Sequence, residues 1–286
     1  MPALVDIRRQ IKSVKNTQQI TRAMKMVSAA KLRRAQDAMF AARPYARKML
    51  EVLRSLVTRA EPGAHPLLER RAGGRVLLIV VTADKGLCGG FNANITRAAV
   101  RFLEERKAAS VSLELLGRKG RDFFKRRSYK IRGEHIGIFQ STVKYEVARS
   151  LAASVIASYT SEEIDEVYLA YNEFKTVIQQ QVIVEPLLPV EPKTLDPKDA
   201  SQDYLYEPSP KEIFNEILPK HVEIQIWRAL LESAAAEHGA RMAAMDAATN
   251  NAGERIDDLT LYMNKVRQAG ITKEIIEVVS GAGRPD

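Results

Sequence analysis

The chain has 286 residues, with 44 Lys and Arg against 35 Asp and Glu, a formal net charge of +9 and a single cysteine. Hydrophobic residues at 45% and charged residues at 28% exclude a globally disordered chain. The lone Cys88 excludes an internal disulfide, and the longest unbroken apolar run, Val76–Val81, falls far short of the roughly 20 residues a membrane span needs.

The positive charge is concentrated at the front. Residues 1–60 hold 14 Lys and Arg against three acids, Asp6, Asp37 and Glu51, a net of +11. A basic segment of this kind is either a solvated helix face or the match of an acidic partner: nucleic acid, an anionic membrane surface or an acidic protein surface. The opening Met1-Pro2-Ala3-Leu4-Val5-Asp6 lacks the apolar stretch of a secretory signal, and no transit peptide is evident. After Pro2 the segment contains one proline, Pro44, and no glycine, and helix formers dominate it. From Ile7, alternating four- and three-residue steps land on Ile11, Val14, Gln18, Thr21, Lys25, Ser28, Leu32, Ala35, Met39, Ala42, Ala46, Met49, Leu53 and Leu56. Such a seam predicts a coiled-coil helix over residues 1–60. Pro44 is expected to bend or locally break it. Between Gln18 and Ser28 the seam turns polar, while Ile20, Met24 and Val27 form a stripe one position away, so the apolar face has rotated there.

Residues 75–200 alternate between strand and helix patterns. Apolar, β-branched residues 76–82 predict a buried strand, residues 92–108 a helix, and Val111–Leu116 a second strand. A short basic helix over Gly120–Arg127, a third strand over Ile136–Phe139 and a helix over Val143–Tyr159 follow. Val167–Tyr171 and Val177–Val184 are further strands, the last marked as a sheet edge by Gln179–Gln181. This alternation predicts a Rossmann-like α/β domain. A proline-rich stretch from Glu185 to Pro210 then leads to residues 210–286, which hold nine bases against 12 acids. Here a second seam runs from Leu231 through Ala235, His238, Met242, Met245, Thr249, Ala252, Ile256, Leu259 and Met263 to Val266. One basic and one mildly acidic seam in a single chain predict that the terminal helices pair as a long antiparallel coiled coil.

Candidate chemistry is sparse. The turn after the first strand, Thr82-Ala83-Asp84-Lys85-Gly86-Leu87-Cys88-Gly89-Gly90-Phe91-Asn92, sits where doubly wound folds cradle phosphates, but its spacing matches neither dinucleotide nor P-loop fingerprints. Cys88 has no histidine within its segment, and His65, His135, His221 and His238 are scattered. No metal-ligand spacing and no hydrolase motif occurs. The expectation is a protein without catalytic, cofactor or metal residues of its own, acting by shape and contact.

Three motifs carry a family resemblance across nearly the whole length. Ile7–Gln36 (IRRQIKSVKNTQQITRAMKMVSAAKLRRAQ), Asp84–Asn92 (DKGLCGGFN) and Ile271–Gly283 (ITKEIIEVVSGAG) resemble, in order and at suitable separations, the gamma-subunit family of F-type ATP synthases. The resemblance implies a rotor in the central stalk. Its helical tip would stand in a ring of alpha and beta subunits. Its α/β domain would sit beside the epsilon subunit and on the c-ring. Proton flow would turn it, and catalysis would lie on other subunits. It implies catalytic-ring contacts at Met24, Lys25, Arg267, Gln268, Ile275, Ile276, Val278 and Val279. It implies c-ring contacts at Tyr204, Tyr206 and Glu207, and a peripheral position on the cytoplasmic face of a bacterial membrane. The rival readings are a nucleic-acid-binding coiled coil, favoured by the basic front, and an oxidoreductase, disfavoured by the missing dinucleotide fingerprint.

Overall fold

The computed structural model describes residues 4–57, 65–71, 73–106, 110–177, 179–190 and 210–282. Two long helices bracket a sheet domain: α1 (Leu4–Val57) and α5 (Pro210–Ala282). Between them run β1 (Arg75–Val81), α2 (Phe91–Glu105), β2 (Ser110–Leu116), α3 (Arg118–Phe124), β3 (Lys130–His135), α4 (Tyr145–Thr160), β4 (Glu166–Phe174) and β5 (Gln180–Leu188). A short 3-10 turn, Pro66–Leu68, precedes β1, with the His65 ring accepting from the Leu67 amide. Helix α1 runs unbroken through Pro44. The expected break does not occur there.

The chain contacts divide into two compact units, one from Met1–Ser28 with Met242–Asp286 and the other from Ala29–Arg241. In the first unit α1 and α5 pair antiparallel. Thr21 shares a 2.8 Å hydroxyl hydrogen bond with Thr249, and Lys25 reaches Asp246 at 2.5 Å. Nearer the start of α1, Ile7 and Gln10 line one recess together with Arg255 and Leu259. The seam positions are the ones withdrawn from solvent: Ile7, Thr21 and Ser28 on α1, and Met245, Ala252 and Leu259 on α5, are all buried.

The larger unit is built on a five-stranded sheet in the order β3-β2-β1-β4-β5, parallel except for β5, which pairs antiparallel with β4. Central β1 is buried on both faces, as its unbroken apolar run requires. Leu78 and Val80 pack with Ile95, Ala99 and Leu103 of α2 and Phe124 of α3. Leu77, Ile79 and Val81 face the other way, into a cluster with α4 (Ala148, Leu151, Val155) and α5 (Phe214, Leu218, Val222, Ile226, Leu230). Helices therefore cover both faces, and α5 itself is one of the covering layers.

The third strand differs from expectation. It spans Lys130–His135, while 136–139 is a turn. The amides of Gly137 and Phe139 are taken by the Asp84 carboxylate at 2.9 and 3.1 Å, so they are unavailable to a ladder. The polar edge strand instead alternates exposed and half-buried residues, as a sheet margin allows. Likewise β5 begins at Gln180 and extends to Leu188, four residues beyond the expected end, on the sheet's other edge.

Candidate functional site

The glycine-rich turn is a rigid knot. At the end of β1, the Thr82 hydroxyl donates to Leu116 O at 3.0 Å and accepts from the Gly120 amide at 2.8 Å. Asp84 accepts from the amides of Arg118 (3.1 Å), Gly137 and Phe139. Asn92 Oδ1 accepts from the Ala83 amide at 2.9 Å. One carboxylate thus ties the turns after β2 and β3 to the end of β1. Gly117 is required here: its φ is +94°, and a Cβ would stand 2.1 Å from Thr82 O.

In doubly wound folds, ligands sit outside the carboxyl ends of the strands. In this chain the residues after β1 meet the chain's own helix. Arg241 of α5 donates Nη2 to Gly86 O at 3.1 Å and to Lys85 O at 3.4 Å, and Nε to Gly86 O at 3.3 Å. Glu237, one helical turn earlier, holds the guanidinium at 2.7 Å. Both side chains are buried. Burial pushes the Glu237 carboxyl up, and Arg241 pulls it back. Burial also pushes the Cys88 thiol up, away from the thiolate a nucleophile needs. The turn is therefore a clasp on α5. Sequence reasoning did not find Arg241, which lies 155 residues from Gly86. The signal in the sequence was a Glu237–Arg241 pair four residues apart beside the seam position Met242.

More rivets fix α5 to the sheet. Arg228 Nη2 donates to Tyr171 Oη at 3.1 Å and pairs with Glu185. Ser233 Oγ accepts from the Asn172 amide at 3.4 Å. Tyr145 donates to Glu223 at 2.6 Å, which also takes Lys220 at 2.9 Å. His221 is buried, and desolvation holds its imidazole down at about 4. His238, on the seam, is likewise lowered to about 4 by burial.

The smaller unit brings some of the expected partner contacts to its surface. Arg267, Gln268, Ile275 and Ile276 are exposed, and Val278 and Val279 stand at 71% and 67% exposure. Ile20, Met26 and Val27 are exposed on α1. Met24 is half-buried. Lys25 is engaged within the chain by Asp246, as part of a polar seam in which Gln18 also reaches Thr249 O at 3.4 Å. Tyr204, Tyr206 and Glu207 lie outside the described residues. Among the described residues, no group of His, Cys, Asp and Glu could hold a metal ion, and no helix is long and apolar enough to cross a membrane.

Within the larger unit the turn after β1 clasps α5, and the smaller unit leaves apolar residues outward, features of a subunit that works through contacts with other chains. The family described as ATP synthase matches residues 3–283. The ATP synthase gamma chain of Solibacter usitatus (strain Ellin6076) is 55% identical over 287 residues, covering 99% of each chain. That of Geobacter sp. (strain M21) is 52% identical, covering 99% of this chain and 98% of its own. The chain belongs to the ATP synthase gamma chain family, whose members are stalk subunits of a complex in which other subunits carry the catalysis. Among solved structures, the central stalk and c-ring of Tetrahymena thermophila mitochondrial ATP synthase matches with TM-score 0.61 and 28% identity, over 80% of this chain and 99% of that one. The rotor of Euglena gracilis mitochondrial ATP synthase shares the fold, with TM-score 0.63 at 18% identity, over 94% and 98% of the two chains.

Proposed function

We propose that this chain is the rotating shaft of an F-type ATP synthase, coupling proton flow through a c-ring to ATP synthesis and hydrolysis in an alpha/beta ring. The observation that carries the reading is the outward apolar row Ile275, Ile276, Val278 and Val279, beside a seam already satisfied within the chain. An axle needs such a surface: apolar groups in an apolar sleeve leave few directional bonds to break at each step. A shaft must also not slip against its own domain. The Arg241 clasp resists that motion, since moving α5 would strand the buried Arg241 and Glu237 charges, and the half-buried Arg228–Glu185 rivet adds to it.

In this reading Met24, Lys25, Arg267, Gln268 and the apolar row meet the alpha/beta ring. Lys25, half-exposed in its pairing with Asp246, keeps a face for the ring beside Met24 and the exposed Ile20 and Val27 of α1. Tyr204, Tyr206 and Glu207 meet the c-ring, and the epsilon subunit is a further partner. The complex would place the chain peripherally, on the cytoplasmic face of a bacterial membrane. The test is affinity purification of the tagged chain from its native host in mild detergent, with mass spectrometry and an ATPase assay. Recovery with alpha, beta, epsilon and c subunits and ATPase activity is expected. Recovery with nucleic acid and no ATPase would overturn the reading and favour the basic helix as a nucleic-acid site.

A further inference from the structure

The β3 edge of the sheet, with α3 beside it, carries a second concentration of positive charge. Residues 118–132 hold eight Lys and Arg against one acid, Asp122, which pairs with Arg121 at 2.7 Å. Lys125, Arg126, Arg127 and Lys130, between the end of α3 and the start of β3, are all exposed. Among the described residues, Arg126 and Lys130 have no carboxylate partner. Lys125 reaches Glu134 only at 3.8 Å, and Arg127 donates to the Phe123 carbonyl at 2.8 Å. The topology decides which end of the larger unit carries this charge. Going up α5, Arg228 meets Tyr171, Ser233 meets Asn172 and Gly239 lies beside Phe174. The start of α5 therefore points toward the amino ends of the parallel strands, where residues 125–130 lead into β3. The antiparallel β5 delivers the chain to the same end, its Leu188 opposite Val167 at the start of β4. Carboxylates at that end lie toward the central strands: Glu166 pairs with Arg106, Asp165 with Arg75, and Glu162 also acts on Arg75.

We propose that Lys125, Arg126, Arg127 and Lys130 form a contact surface for the anionic headgroups of a lipid bilayer. The inference rests on the rotor reading for its orientation: Tyr204, Tyr206 and Glu207 follow β5 and precede α5 in the chain, so this end of the domain faces the c-ring and its membrane. The chemistry of the surface selects the partner. A protein interface needs a charge-poor, apolar centre, and four exposed bases supply none. Single-stranded nucleic acid needs open aromatic faces for stacking. Here the Arg127 guanidinium covers the Phe123 ring at 3.7 Å, and Phe123 and Tyr129 meet Phe124 edge to face at 4.9 and 5.6 Å. Anionic headgroups ask only for positive charge within a Debye length, about 8 Å at physiological salt. Fluid headgroups also present the same charge at every angle. Attraction to them steadies the foot of a turning shaft without favouring one stopping position.

The test is flotation of the full chain with vesicles of phosphatidylcholine alone and of an equal mixture of phosphatidylcholine and phosphatidylglycerol, at physiological salt. The parent chain should float with the mixture and not with phosphatidylcholine alone. Arg126→Gln should weaken binding about fivefold, and Lys125→Gln with Arg126→Gln and Lys130→Gln about 100-fold, each base near an anionic surface contributing one such factor. Arg127 is kept so that its stack on Phe123 survives. The control removes equal charge from α1, by Arg8→Gln with Lys12→Gln and Lys15→Gln, and should weaken binding less than about fivefold. Equal losses in the two triple variants, flotation with phosphatidylcholine alone, or no flotation with the mixture would overturn the proposal. Retention on duplex DNA without flotation would overturn it in favour of nucleic acid. If a triple variant loses its helical circular dichroism, Arg126→Gln alone decides. Purification from the native host reports on the rotor reading separately. Flotation that depends on these residues, with no complex recovered around the parent chain, would leave the lipid surface standing and remove the rotor.

Discussion

Along α5, the stretch from Phe214 to Ala236 and the stretch from Ile271 to Val279 are both rich in apolar residues, yet they end in opposite environments. In the first, Phe214, Leu218, Val222, Ile226 and Leu230 are buried in the cluster shared with α4 and the sheet. In the second, Ile271, Ile275, Ile276, Val278 and Val279 are all exposed. The first stretch is apolar because the chain's own fold covers it. The second is apolar with nothing in its unit to cover it, and exposed apolar surface of that kind marks a surface for other molecules. The same composition therefore serves folding at one end of a helix and assembly at the other.

Substitutions can break or sharpen this contrast. The largest effect is expected in the first stretch. Leu230→Ala should destabilise the chain by about 2–5 kcal/mol, read from denaturant midpoints, because a fully buried side chain leaves a cavity in a packed layer. Arg241→Met should cost about 3–5 kcal/mol by leaving Glu237 buried and unpaired, and adding Glu237→Met should recover most of it. A loss in the single variant that the double variant does not recover would refute the clasp as a charge pair.

A smaller effect depends on pH. In the folded chain His221 resists protonation, with its imidazole held at about 4 against about 6.5 when unfolded. The unfolded chain takes up a proton that the folded chain refuses, so the contribution is fully present above pH 6.5 and is lost as pH falls toward 4. From pH 8 to pH 5 the loss is about 2 kcal/mol. His221→Leu should remove that share of the slope, leaving the share of His238, whose imidazole is lowered to about 4 as well. Lys25→Met removes a partly exposed pair with Asp246 and should cost no more than about 1 kcal/mol.

The smallest effect on folding, and the sharpest test of the contrast, lies at the outward row. Val278→Ala with Val279→Ala should change the stability of the chain by no more than about 0.5 kcal/mol, while lowering the yield or coupling of the assembled complex. A stability loss comparable to Leu230→Ala would place the row in the chain's own core and end the comparison.

Local periodicity determined a great deal. The two heptad seams are the buried lines of the helix pair, because a repeat of apolar residues every three or four positions shows which helix face leaves water. The run Val76–Val81 read as a strand buried on both faces, since no exposed face interrupts it. The rotation of the apolar face between Gln18 and Ser28 was also legible, and the polar seam proves to be hydrogen-bonded to Thr249 and Asp246. The basic front and acidic end are properties of composition alone.

Tertiary structure alone decided the rest. The third strand lies at Lys130–His135 because Asp84, far back in the chain, takes the amides that would have extended it. The glycine-rich turn that read as a possible phosphate cradle holds Arg241. The physical reason is range. Helix and strand periodicities arise from neighbours a few residues apart, so composition and spacing report them. Hydrogen bonds and buried charges are settled by groups that only the folded chain brings together, and no spacing in the sequence encodes those meetings.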